Sequence, residues 1–213
     1  MKQIDKGVTE RVLTIAKKEF LKNGYQKASL RKIASQADTS PKSIYTRFAD
    51  KENLFGALVE QKVQEFKKIM LEQGQEFSSL GSEKQRMTAI TAYDPEYNLI
   101  DYIYDDFDTF KLILMCSQGT KYEHFLEELS EIIVELTLKF AQNVAHDALT
   151  SGRASRDIIH ILCGSYLTGV FEPVYHNMDR NSALIYAKQL KRFFDIGWAD
   201  LFDLPHPYQQ EGR

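Results

Sequence analysis

Proline is scarce in this chain. It stands only at positions 41, 95, 173, 205 and 207, so long stretches are open to uninterrupted helix. Strict alternation of apolar and polar residues is also scarce, which removes the signature of half-buried strands. Cysteine is limited to Cys116 and Cys163, both within apolar helical patterns and without CxxC spacing. That excludes a disulfide framework and a cysteine zinc site, and leaves two reduced packing residues, with a redox switch as the alternative. No run approaches the roughly eighteen apolar residues that span a bilayer. The opening MKQIDKGVTE lacks the apolar core of a secretory signal. A soluble, cytoplasmic chain with no membrane partner is expected.

An excess of positive charge is missing as well. The net charge is −3, which alone argues against a polyanionic partner. Its distribution reverses that impression. Residues 1–68 hold 15 Lys and Arg against 8 Asp and Glu, or +7, while the remainder holds 12 against 22, or −10. A basic first third on an acidic remainder points to a polyanion met by the first third only. Chance clustering of solvated surface charge is the alternative. Hydrophobic residues make up 43% of the 213, enough for a sizeable core in one large domain or in a small domain joined to a larger one.

Helical periodicity covers nearly the whole chain. Val12, Ile15, Ala16 and Phe20 mark one face of a first helix ending near Asn23-Gly24. Ser29 caps a second helix carrying Leu30, Ile33, Ala34 and Ala37, and Asp38-Thr39 makes a tight turn. Ser40 caps a third, with Pro41 at its first position, where the missing N–H costs nothing. Asp50 caps a fourth running toward Gly74. The stretch SSLGSEKQRM reads as a loop or frayed connection, and Asp94-Pro95 as the cap of a helix reaching about Asp106. Further helices are expected over about 108–117, 122–149, 155–176 and 182–202.

The third segment, SPKSIYTRF, is unusual. Only Ile44 and Phe48 are plainly apolar, four apart on one face, and the other face carries cations, hydroxyls and a phenol. Two helices joined by a turn of about three residues, the second with an uncommitted polar face, form a helix-turn-helix pattern. Its second helix would present its N-terminal residues to the major groove, where phosphates and purine edges accept hydrogen bonds. Arg31 and Lys51 add cations in the first turns of the second and fourth helices. There a cation opposes the helix dipole and makes more sense beside a phosphate.

Over about the first 55 residues the chain resembles the DNA-binding domain of the tetracycline-repressor (TetR) family. The resemblance rests on Arg11-Val12-Leu13, Ala16, Phe20, Gly24-Tyr25, Ser29-Leu30, Ile33-Ala34, Ala37, Ser40, Ile44-Tyr45, Phe48 and Lys51-Glu52-Asn53-Leu54, in order and spacing. Asp38 stands where the family often has Gly, and Pro41-Lys42 where it often has Lys-Gly. Asp tolerates the left-handed conformation, so the turn is expected to survive, while the base preference is expected to differ from that of other members. The resemblance implies that Tyr45 bonds a backbone phosphate and that Lys51 contacts phosphate. It also implies that Ser29 and Arg31 approach DNA from the second helix, with Ser40, Pro41, Lys42, Ser43, Thr46 and Arg47 completing the DNA-facing set.

The same resemblance implies an inducer pocket and a dimer interface in the remainder. Tyr93, Tyr97, Tyr102, Phe107, Phe110, Cys116, His124, Phe125 and Tyr166 are the pocket candidates, a mostly apolar set with a few polar handles. Plain core packing is the alternative for each. In the last two helices Ile161, Leu162, Val170, Phe171, Leu190, Phe193, Phe194 and Trp198 exceed what one buried face requires. They are the interface candidates for a four-helix bundle across a two-fold axis, against a core wrapped within one chain. Asp101, Asp105, Asp106 and Asp108 invite a metal, but no His or Cys stands at ligand spacing and no calcium loop is present, so a solvated acidic face is expected.

The sequence therefore predicts an all-α chain. Residues 1–50 would form a three-helix helix-turn-helix DNA-binding domain, joined by a long helix to a larger helical ligand-binding and dimerisation domain over 51–213. The resemblance implies a ligand-responsive regulator, a repressor released from a near-palindromic operator on double-stranded DNA by an unidentified small-molecule inducer and acting as a homodimer. No cofactor, metal or catalytic residue is expected. A ligand-independent dimer or an activator of the same fold is the alternative. An enzyme is disfavoured because no nucleophile elbow, phosphate loop or zinc spacing occurs. An architectural protein is disfavoured by the acidic remainder.

Overall fold

The computed structural model describes residues 6–91 and 99–206, and among these there is helix and turn but no strand. The class is all-α, as expected. The first four helices are α1 (Lys6–Lys27), α2 (Leu30–Gln36), α3 (Pro41–Phe48) and α4 (Lys51–Ser79). Their boundaries follow from local chemistry. Ser29 is extended and its hydroxyl accepts the Lys32 N–H at 3.4 Å. Ser40 does the same for Ser43 at 3.2 Å, with Pro41 in the first turn. The Asp50 carboxylate accepts the Asn53 N–H at 2.6 Å. Each cap satisfies an N–H that the helix itself leaves unpaired. Between α2 and α3 the chain turns through Asp38 at φ 49, and the Thr39 N–H closes on the Ala34 carbonyl at 2.9 Å.

Later elements are α5 (Ser82–Thr91), α6 (Leu99–Asp105), α7 (Phe107–Met115), α8 (Phe125–Val144), α9 (His146–Thr150), α10 (Arg156–Tyr175) and α11 (Arg180–Leu201). Several differ from the sequence expectation. The stretch SSLGSEKQRM, expected as a loop or frayed connection, lies mostly in α4 and α5. The Gln85 amide donates to the Ser78 and Leu80 carbonyls at 3.0 and 2.8 Å, so groups left open at the end of α4 are met by a buried side chain. The long helix expected over 122–149 starts at Phe125 and breaks at Ala145, φ −133 and ψ 39. Neither Gly nor Pro marks that break, and apolar residues continue across it. The last helix begins two residues early, because the Asp179 carboxylate accepts the Ser182 N–H at 3.0 Å. Asp94-Pro95 lies outside the described residues.

α10 has the length and mean composition of a membrane span, although Arg156, Asp157, His160 and Glu172 interrupt its apolar residues. Ile159, Cys163, Leu167, Phe171 and Val174 recur along one side and are buried within the fold, so this apolarity serves a protein core.

Contacts divide the chain into two compact units, the first taking in the chain through Phe66 together with Asp106–Phe125. Its core joins Val12, Ala16 and Phe20 of α1 to Ile33, Ile44, Phe55 and Val59. Phe20 and Phe55 meet edge to face at 5.1 Å, and Phe66 presents its ring to Phe110 at 5.7 Å and Phe125 at 6.0 Å. Lys17 holds α7 against α1, reaching Asp106 at 3.0 Å and Thr109 at 3.2 Å. The Tyr25 N–H donates to the Cys116 carbonyl at 2.9 Å.

The segment after α7 is clasped onto α4. Gly56 is needed there, since a Cβ would stand 2.7 Å from the Tyr122 hydroxyl oxygen. That hydroxyl donates to Glu60, Lys121 pairs with Glu60 at 2.7 Å, and the Lys121 N–H donates to Glu52 at 2.9 Å. Lys121 and Tyr122 hold the Glu60 carboxyl down to about 2 from an ordinary 4.5. Burial, then the bond to Glu60, pushes the Tyr122 phenol up to about 12. A depressed carboxylate stabilises above its unfolded value and loses that contribution as pH falls through the folded one. Stability should therefore drop between pH 4.5 and about 2 more steeply than in Glu60→Gln, as denaturant melts across that range would show. Equal slopes in the two proteins would remove Glu60 from the acid response.

The second unit comprises Lys67–Asp105 and the chain from Leu126 onward. Its core gathers Val134, Phe140 and Ala141 of α8, Ile159 and Cys163 of α10, Ala199 of α11, and Phe202. α10 and α11 approach closely at Gly169, where a Cβ would come within 2.8 Å of the Leu190 side chain. Arg180 reaches Asp101 at 2.7 Å and Asp105 at 3.3 Å, so the acidic pair read as solvated is bridged by a cation. Burial pushes both thiols, Cys116 in the first unit and Cys163 in the second, above their ordinary value.

Candidate nucleic-acid interface

The polar face of α3 is turned outward. Ile44, fully buried, anchors the helix, and Pro41, Lys42, Tyr45 and Thr46 are exposed, Tyr45 at 51%. Ser29, Arg31 and Ser40 are exposed beside them in sequence. The two capping serines accept through their oxygens, which leaves each hydroxyl proton available to a phosphate. α2 is fixed to α1 by Glu19, buried and bonded to Lys32 at 2.6 Å and to the Ser29 N–H at 3.4 Å. Burial raises the Glu19 carboxyl, and Lys32, Ser29 and Asn23 together outweigh it and leave the group lowered.

Besides the capping serines, Ser43, Thr46, Arg47 and Lys51 of the proposed DNA-facing set are engaged with the protein. Arg47 is half-buried, donating to Thr9 at 3.2 Å and to the Ser43 carbonyl at 3.0 Å and hydroxyl. It steadies α3 on α1. Thr46 bonds back to the Lys42 carbonyl at 2.9 Å. Lys51 lies over the Tyr25 ring at 4.6 Å and donates to the Gln26 carbonyl at 3.1 Å, and burial lowers its pKa. Both Lys42→Ala and Lys51→Ala should weaken binding to every DNA sequence and flatten the salt dependence by about one counterion each. Lys51→Ala should also lower the melting temperature, because it releases the start of α4 from the end of α1. An unchanged salt slope in Lys51→Ala would assign that lysine to the fold alone.

The described residues named from the sequence for a ligand pocket are divided between the two units. Tyr93 and Tyr97 lie outside the described residues. Phe110 and Phe125 pack on Phe66 in the first unit, Cys116 is buried there, and Phe107 is half-buried under Lys111. His124 is exposed beside Glu123 at 3.3 Å. Tyr102 and Tyr166 are half-buried in the second unit, where Tyr166 meets Phe194 at 5.0 Å and burial pushes its phenol up to about 12. The second unit does hold a cavity of about 390 Å³, between the end of α4, α8 and α11, lined by a different set that includes Gln73, Phe77, Phe140, Asp195, Trp198 and Phe202. No motif marks these residues. The only available signal was apolar surplus on α8 and α11, which is indistinguishable from core.

The interface candidates divide. Ile161 is exposed, and so is Phe193, at 74%. Leu162, Leu190, Phe194 and Trp198 are half-buried, and Trp198 faces the cavity. Val170 and Phe171 are buried within the chain, which withdraws them from any surface. Two exposed residues of α11 were not among the candidates, Ile185 and Ile196. With Phe193 they fall at intervals of eight and three residues, on one stripe of the helix.

Residues 12–58 match the model of bacterial regulatory proteins of the tetR family. No curated protein matches the chain. Among solved structures, the transcriptional regulator FadR from Bacillus subtilis in complex with stearoyl-CoA is 17% identical with a TM-score of 0.41, covering 85% of this chain and 96% of its own. A structure from Mesorhizobium loti MAFF303099, described as a tetR-family regulator, is 16% identical with a TM-score of 0.37, covering 89% and 96%. The family match falls on the helices whose caps, turn and outward polar face are described above, so residues 12–58 carry a DNA-binding domain of the kind found in bacterial regulatory proteins of the tetR family.

Proposed function

We propose that the chain is a cytoplasmic, ligand-responsive repressor that grips a near-palindromic operator as a homodimer and lets go when a small molecule occupies the cavity of the second unit. The observation that carries it is α3, a helix of eight residues with Ile44 as its single buried residue and its remaining face offered outward. In a dimer two such helices meet major grooves one turn apart, roughly 34–36 Å. Lys42, Tyr45 and Arg31 supply phosphate and base contacts, and Ser29, Ser40 and Lys51 supply backbone contacts. Residues 1–50 are the DNA-binding part and 51–213 the regulatory part.

A ligand changes DNA affinity only by preferring one conformation over another. α4 is the proposed transmitter. It contributes Phe55, Val59 and Phe66 to the core of the first unit, and Gln73 and Phe77 to the cavity wall. Mobility shifts on DNA from upstream of the chain's own coding region, with and without small molecules, test the proposal. Two glycines inserted at Lys67-Lys68 should leave DNA and ligand binding intact while abolishing the ligand's effect on DNA. Normal release by the inserted protein would put transmission elsewhere, and failure to bind any operator would overturn the regulator itself.

A further inference from the structure

We infer that the cavity of the second unit selects an uncharged ligand built on a planar aromatic body with a single carbonyl-type acceptor, and that it rejects carboxylates and phosphates. The inference rests on the effector role proposed above and specifies its chemistry. At about 390 Å³ the cavity lies at the small end of the range for drug-sized guests, roughly 300–1,000 Å³. Its walls are rings. Phe77 meets Phe140 at 5.6 Å, Phe140 meets Phe202 edge to face at 5.7 Å, and Trp198 stacks on Phe202 at 5.4 Å with 8° between planes. Faces and edges presented together suit a flat guest that stacks on one ring and meets the edge of another.

Two polar groups set the rest of the selection. The Gln73 Nε2 is buried and has no hydrogen-bond partner among the described residues. A buried donor without an acceptor is costly, and a guest carbonyl relieves that cost. Asp195 is the one charged residue among the described lining, which includes no Lys, Arg or His. Its carboxylate is bonded to Lys191, which is not part of the lining. An anionic guest would lose its hydration, find no cation in the wall and face a carboxylate. Thr137, the remaining polar wall residue, lies 3.6 Å from the Cys163 sulfur.

The test uses the full chain without DNA, so its failure is separate from a failure of operator release. Calorimetric titrations would compare 2-acetylnaphthalene, 2-ethylnaphthalene and 2-naphthoate, three guests of one shape that differ in acceptor and charge. Emission from Trp198, the only tryptophan in the sequence, gives a second readout at the cavity wall. The ketone should bind about ten-fold or more tightly than the naphthoate and several-fold more tightly than the hydrocarbon. Gln73→Leu should erase the advantage of the ketone over the hydrocarbon, and Asp195→Asn should narrow the gap between ketone and naphthoate. The ranking on the unaltered protein is decisive by itself if a variant folds poorly. Naphthoate binding as tightly as the ketone, or no binding by any of the three, would overturn the inference.

Discussion

Ile44→Ala should cost about 2–5 kcal/mol of stability and remove operator binding at concentrations where the unaltered protein is saturated. Most helices in this chain bury several residues, so losing one side chain leaves others to hold them. α3 has only Ile44 fully inside, with Phe48 half-buried at its end. Truncation leaves a cavity under the helix that must meet DNA, and the outward face can then keep no fixed register with the groove. Thermal unfolding and a mobility shift on one preparation check both effects. Full DNA affinity in a destabilised Ile44→Ala protein would mean that α3 is held by its caps and its polar contacts to α1.

Phe193→Glu, combined with Ile185→Glu, should turn the proposed dimer into monomers and lower operator affinity by about 10²–10⁴, the gain that two linked sites give over one. Phe193 is 74% exposed and Ile185 61%, so neither charge is forced into the core and the melting temperature should barely change. That separation of effects identifies a surface. A charge at Val170, by contrast, would enter the core of the second unit and report on folding. Light scattering of the doubly charged protein decides the matter: a particle that stays dimeric would place the interface away from this stripe.

The DNA-binding part was legible in the sequence because its determinants are short-range. Ser29, Ser40 and Asp50 each act three residues ahead, on Lys32, Ser43 and Asn53. Asp38 takes the left-handed conformation within a turn that the residues around it already specify. The larger part was less legible because partners far apart in sequence decide its placements. The ion pair between Lys17 and Asp106 draws α7 and its aromatic residues into the first unit, and no local pattern around Phe107 or Phe110 announces that. Arg180, distant from Asp101 and Asp105 in sequence, accounts for the acidic pair. The break at Ala145 falls inside a continuous apolar rhythm. Burial of Phe171 and exposure of Phe193 cannot be told apart by composition, since both are phenylalanines in apolar helices.

The two thiols make a pair of clocks. Cys116 belongs to the first compact unit and Cys163 to the second, both are buried, and the sequence has no other cysteine. Burial raises both pKa values, so a closed unit offers an alkylating reagent little thiolate and little access. Labelling must then wait for opening, and its rate measures the free energy of opening for the unit that carries the thiol. Mass spectrometry of the two peptides from one labelling reaction reads both rates without any substitution. An effector that tightens the second unit would slow modification of Cys163 directly. Whatever change it produced at Cys116 would measure how much of that tightening is felt by the helices that hold DNA.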